Sequence, residues 1–220
     1  MKLNWASWLA KSPLKRHFVS QLGRPRGPLG RAISQMMNRS NLKMSQHALA
    51  ALKLAEGHTV VEIGFGGGVA LPLLLDAVGQ RGRVIGVDRA PGMLKQAKKA
   101  FAVEIAAGRL RLEQAELPDW PKGLPLADGI LAVNVVYFWT DPEACVATLA
   151  AALKPGGRLS LGFRPPEVAR HMGLDKAGFN TVEPELVLGW LKAAGLERAH
   201  VQTVPEGKFL ALAAVASKPN

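Results

Sequence analysis

The stretch Val60-Val61-Glu62-Ile63-Gly64-Phe65-Gly66-Gly67-Gly68 constrains this chain more than any other. Its β-branched start reads as a strand over Thr59–Ile63, and the glycines read as a tight turn into a helix over 69–78. Glycines at such a turn let backbone approach a ligand where a side chain would clash. A G-x-G-x-x-G spacing would favour a dinucleotide, with its pyrophosphate on the helix N-terminus. The spacing here is E-x-G-x-G-x-G, from Glu62 through Gly64 and Gly66 to Gly68. Taken alone, such a cluster is also compatible with an ordinary strand-to-helix turn.

Strands and helices alternate from there on. Strands are expected over 83–87, 109–113, 129–135 and 158–163, with two closing strands over 201–204 and 208–216. Helices are expected from Pro91 through Ala107, from Pro142 to Leu153 behind an Asp141 cap, and over 184–194. This order predicts an α/β, Rossmann-like fold, a mostly parallel sheet with helices on both faces. At 220 residues the chain fits one such domain over 45–220, preceded by a basic helical extension over 1–44. A helix over 45–54, capped by Ser45, is expected where the two meet.

Further residues stand where a nucleotide would meet this sheet. Asp88 ends the second strand, and a carboxylate there can accept both hydroxyls of a ribose. Met93 falls one turn into the next helix, Gln114-Ala115-Glu116 follows the third strand, and Asn134 leaves the fourth. This order of motifs resembles that of the class I S-adenosylmethionine (SAM) dependent methyltransferases over about residues 45–216. It is similar in style to small-molecule enzymes of the ubiquinone and menaquinone type.

The resemblance implies a seven-stranded sheet whose last strand is antiparallel, SAM as cofactor and S-adenosylhomocysteine (SAH) as product. It implies that Gly64 and Gly66 line the methionine part of SAM, with Phe65 and Gly68 in the same turn. Glu62 would orient that part through its amino group or the loop. Asp88 would hold the ribose beside Arg89, and Met93 would pack on the adenine. Gln114, Ala115, Glu116 and Asn134 complete the implied cofactor set. The family often writes Asp-Ala-Glu after the third strand. Gln114 replaces that Asp here, and its amide oxygen can accept the same hydrogen bond from the adenine amino group.

Methyl transfer needs alignment more than acid–base help when the acceptor is already nucleophilic, so no obvious catalytic residue is required. For acceptors that need a base, Tyr137, His171 and His47 are the candidates. Tyr137 and Trp139 can border a small-molecule pocket, and Arg164 can clamp an anionic acceptor. Met37 and Asn41 belong to a segment suited to lid the site. The bland readings are core packing for the aromatics and methionines, a surface ion pair for Arg164, and helix caps for the asparagines. No metal site is expected from one cysteine and scattered histidines, and no G-x-S-x-G elbow supports hydrolysis.

The net charge of +11 is unevenly placed. Residues 1–55 hold ten Lys or Arg and no acid, leaving 18 basic against 17 acidic residues beyond them. Trp5, Trp8 and Phe18 within that arm suggest peripheral contact of residues 1–22 with an anionic membrane. A nucleic-acid substrate is the rival reading, which would make the chain an RNA methyltransferase. Asn134-Val135-Val136-Tyr137 lacks the Pro-Pro signature of base-amino methyltransferases, so nucleic acid is not expected. The arm is also compatible with a transit peptide or a solvated charged face, and the whole chain with a non-catalytic SAM-binding protein. The lone Cys145 and the lack of a secretory signal favour a reducing, cytoplasmic setting, with the membrane contact peripheral. The expected partner is a small, hydrophobic or aromatic methyl acceptor.

Overall fold

A computed structural model describes residues 42–171, 175, 180–206 and 209–220; the side chains of His171 and of residues 205, 206, 209 and 210 are not among what it describes. Residues 42–51 are helical (α1). There follow β1 (Thr59–Ile63), α2 (Leu71–Val78), β2 (Arg83–Asp88), α3 (Pro91–Ala100), α4 (Ala102–Ala106) and β3 (Leu110–Gln114). The second half holds β4 (Ala127–Val133), a 3₁₀ turn (Val136–Phe138), α5 (Pro142–Ala151) and β5 (Leu153–Phe163). It ends with α6 (Pro166–His171), α7 (Pro184–Ala193), β6 (Glu197–Glu206) and β7 (Phe209–Ser217).

The seven strands order as β3-β2-β1-β4-β5-β7-β6. Every neighbouring pair is parallel except the two made by β7, which is antiparallel to both β5 and β6. The expected sheet, with its antiparallel last strand, is therefore present.

Two-residue alternation along the strands divides the core between the faces. Val60, Val84 and Leu131 join α1, α2 and α3 through Met44, Leu71, Leu74 and Met93. Val61, Ile63, Ile130 and Phe163 join α5 and α7 through Val146, Leu149, Val187 and Leu191. Many of these side chains are wholly buried, each worth roughly 1.5–3 kcal/mol against exposure. Helix α1 runs against β5 in the opposite direction. A Cβ on Gly162 would lie 3.0 Å from Met44 Sδ, while Arg158 Nη1 donates to Ala51 O at 3.3 Å. The start of α1 thus lies at the carboxyl edge of the sheet.

Several boundaries depart from the expected ones. The first described residue of α1 is already helical at 42, so Ser45 is a buried interior residue of that helix and not its cap. The helix expected from Pro91 to Ala107 breaks at Phe101, whose φ is −115° and ψ 32°. Its ring turns back to Gly68, where a Cβ would meet Phe101 Cε2 at 3.2 Å. Strand β4 stops at Val133, because Asn134 takes the left-handed conformation with φ +57°. Pairing of β5 with β4 already begins at Leu153↔Ala127, then bulges before Arg158↔Gly129. The Asp141 cap is present, its Oδ1 accepting from Ala144 N at 3.0 Å. No helix of the described residues is long and apolar enough to cross a membrane.

Candidate functional site

In this strand order, β1 connects toward β2 and β3, while β4 and β5 lie on the other side. The carboxyl ends of β1 and β4 therefore form the topological switch point, the crevice where ligands bind in open α/β sheets. The glycine turn emerges there. Gly64 N–H donates to Val87 O at 2.7 Å, which extends the β1–β2 ladder by one residue. Gly64, Gly66 and Gly68 then all take positive φ, at 67°, 51° and 74°. The three glycines do not serve the same end. A Cβ on Gly64 would lie 2.3 Å from Val135 Cγ1, so the turn packs directly on the exit of β4. Among the described residues, a Cβ on Gly66 would meet only Gly64 O at 3.9 Å, so it borders space that these residues leave open.

Asp88 clasps this turn from the end of β2. Its Oδ2 accepts from Gly66 N–H and its Oδ1 from Ala90 N–H, both at 2.8 Å. Burial raises its pKa above the ordinary aspartate value, against the lowering effect of these two N–H groups and of Arg89. Glu62 lies behind, 5% exposed, and its Oε2 has no hydrogen-bond partner among the described residues. Burial, followed by the charge of Asp88, pushes the Glu62 pKa up to about 8. A buried acceptor with nothing to accept from fits a ligand that brings a donor or a positive charge.

Arg89 joins three strand exits. Its Nη1 pairs with Glu116 Oε1 at 2.5 Å, and its Cζ lies 5.0 Å from the centre of the Phe138 ring. Gln114 is exposed beside Asp88, its partner in the β2–β3 register, and Ala115 N–H donates to Asp88 O at 3.3 Å. Ends of β1, β2, β3 and β4 thus bring Glu62, Gly64, Gly66, Asp88, Arg89, Glu116 and Asn134 to one edge of the sheet.

Other candidates sit less openly. Phe65 and Met93 are 3% and 1% exposed, in the core beneath α2 and α3. Phe65 fills the space beside Gly86, where a Cβ would lie 2.9 Å from its ring. Trp139 is buried among the α5 and α7 core residues. Tyr137 is buried with them, but its hydroxyl reaches polar partners: Arg164 N–H donates to it at 2.5 Å, and Asn134 Oδ1 lies 3.5 Å away. Arg164 is itself buried at the exit of β5. His47 is exposed on α1, and His171 ends α6. Met37 and Asn41 lie outside the described residues.

Two contributors escaped the sequence reading. Val135 reveals itself only through its contact with Gly64. Phe138 stood in the aromatic run 137–139, and that run was the signal available for it.

Residues 60–157 match the family model described as a methyltransferase domain. The uncharacterized methyltransferase YdaC of Bacillus subtilis is 25% identical over 190 residues, 84% of this chain and 96% of that protein. The trans-aconitate 2-methyltransferase of an Azoarcus species is 31% identical over 119 residues, 54% of this chain and 44% of that enzyme. The chain thus spans nearly all of the first relative and less than half of the second. Among solved structures, a SAM-dependent methyltransferase from Aquifex aeolicus aligns with a TM-score of 0.65 at 21% identity, covering 92% of this chain and 97% of that one.

Proposed function

We propose that this chain, which belongs to the class I SAM-dependent methyltransferase family, transfers the methyl group of SAM to a small-molecule acceptor. The observation that carries the reading is the Gly64–Gly68 turn clasped by Asp88 in front of Glu62 Oε2, which has no hydrogen-bond partner among the described residues. Open space over Gly66 fits the methionine part of SAM, and Glu62 Oε2 fits its amino group. A carboxylate offers about four lone-pair sites, so Asp88 keeps capacity for ribose hydroxyls beyond the two backbone N–H groups it already accepts. Gln114, Ala115 and Glu116 border the position this places the adenine in.

When bound, SAM supplies a methyl group on a sulfonium, electrophilic enough that alignment of the acceptor dominates the rate. The chain's own part is to hold donor and acceptor in line and to keep water out. Arg164 and the residues leaving β4 are the contacts proposed for the acceptor. A small-molecule acceptor is supported by trans-aconitate in the name of one relative. The acid-free segment 1–55 supports, in addition, a peripheral contact with an anionic membrane, which suits a hydrophobic acceptor.

Calorimetry with SAM and SAH tests the cofactor reading, and folded protein that binds neither would refute it. Incubation of cell extract with methyl-labelled SAM, followed by identification of the labelled product, tests the acceptor class. Label recovered in RNA and not in small molecules would overturn that part.

A further inference from the structure

We propose that Tyr137 is a positioning residue, whose hydroxyl couples the backbone leaving β5 to the Asn134 side chain in the cofactor crevice. The inference rests on the SAM-binding reading of that crevice.

Backbone donors are sparse in sequence where the chain leaves β5. After Arg164 come Pro165 and Pro166, which carry no N–H, so the next backbone donor is Glu167. Arg164 N–H is buried and needs an acceptor, and Tyr137 Oη provides it at 2.5 Å. The hydroxyl has one proton, and Asn134 Oδ1 lies in its reach at 3.5 Å. That separation is at the limit for a hydrogen bond, and a movement of a few tenths of an ångström makes it an ordinary one.

Asn134 is thus governed by β5 twice. Its backbone N–H donates to Gly162 O at 2.8 Å, extending the β4–β5 ladder by one residue to the point where the chain turns left-handed at φ +57°. Its side chain meets β5 through Tyr137. With Oδ1 turned to the hydroxyl, the amide nitrogen is the end turned away from Tyr137. The following residue, Val135, packs against Gly64, so a shift of this corner is felt by the glycine turn as well. Tyr137 therefore acts through Asn134 and not by contact with the reacting atoms. Phenylalanine would fill the same core space, so that substitution removes the hydroxyl and its bond to Arg164 N–H without opening a cavity.

The chain holds a single tyrosine, which makes the coupling measurable. In the 220-residue chain, Tyr137→Phe is expected to weaken SAH binding about tenfold, as is Asn134→Ala. The double variant should be no weaker than the weaker single, because neighbours in one network are non-additive. A Tyr137→Phe affinity within twofold of the parent, or losses that multiply, would overturn the proposal. A parent that does not bind SAH would refute the cofactor reading instead. Replacing tyrosine by 3-fluorotyrosine gives one ¹⁹F resonance in a chain with no substitution. That resonance is expected to move at saturating SAH and to stay in place in Asn134→Ala. A resonance that SAH does not move in the parent, or that still moves without Asn134, would also overturn it. A tyrosine that served packing alone would change thermal stability and neither of these readouts.

Discussion

Gly66 N–H and Asp88 Oδ2 lie 2.8 Å apart and close a hydrogen bond between residues 22 positions apart in the chain. The carboxylate proposed to hold a ribose is thus also the clasp of the glycine turn. With Ala90 N–H on its other oxygen, Asp88 ties the exit of β1 to the exit of β2 and the start of α3. One side chain shapes the site before any ligand arrives.

Asp88→Asn keeps the shape but turns an NH₂ group toward one of these two N–H donors. A hydrogen bond to a charged group is worth about 1.5–3 kcal/mol, so SAH affinity is expected to fall by about 10- to 100-fold. Calorimetry measures it, and an unchanged affinity would remove Asp88 from the site.

Binding of SAM should release protons. Glu62, with its pKa near 8, holds its proton at neutral pH, and a cationic ligand favours the ionised form. Affinity should therefore rise with pH up to about 8, and the binding enthalpy should depend on the buffer's heat of ionisation. Equal enthalpies in phosphate and Tris at pH 7 would contradict this.

The same pKa has a consequence for the free protein. The folded state binds a proton that the unfolded state has lost above the ordinary glutamate value of 4.5, so this group's contribution to stability declines as pH rises from 4.5 toward 8. Glu62→Gln should flatten that part of the stability curve. Denaturant melts of both proteins at pH 5, 6, 7 and 8 provide the comparison, and parallel curves would count against it.

Gly64→Ala and Gly66→Ala should part company. Both place a side chain at positive φ, at a cost of about 1–2 kcal/mol. Only Gly64→Ala also meets Val135 Cγ1, which adds an overpacking cost of about 1–3 kcal/mol. Gly64→Ala is therefore expected to melt lower, while Gly66→Ala stays nearer the parent in stability and loses SAH binding. Equal melting temperatures would show that the Val135 contact carries no weight.

The basic arm predicts retention on anionic vesicles. Co-sedimentation with phosphatidylserine liposomes is expected at low salt, fading as salt is raised and lost on deletion of residues 1–22. If the deletion changes nothing, the arm serves another purpose.

What could be read in advance was what depends on neighbours in sequence. Thr59–Ile63 reads as a strand and Asp141-Pro142 as a helix start, because propensity and capping act over a few residues. Asp88 was legible because it closes a β-branched run that reads as a strand, at the sheet edge where ligands bind in this class of fold. The single helix expected from Pro91 to Ala107 failed at Phe101, since no local rule foresees a ring turning back to Gly68. The end of strand β4 was read two residues too late because Val135 is a good strand former, while Asn134 before it turns left-handed.

The sequence by itself determined the alternation of elements, the glycine turn and the acid that follows it, all set by local backbone preference. Tertiary structure alone decided that β7 lies between β5 and β6, that Val135 occupies the space a Cβ on Gly64 would need, and that Phe65 turns into the core. It also brought Arg164 N–H to the Tyr137 hydroxyl, across 27 positions of sequence. The physical reason is the same in each case: buried donors must find acceptors and buried volume must be filled, and the groups that meet these demands come from distant parts of the chain.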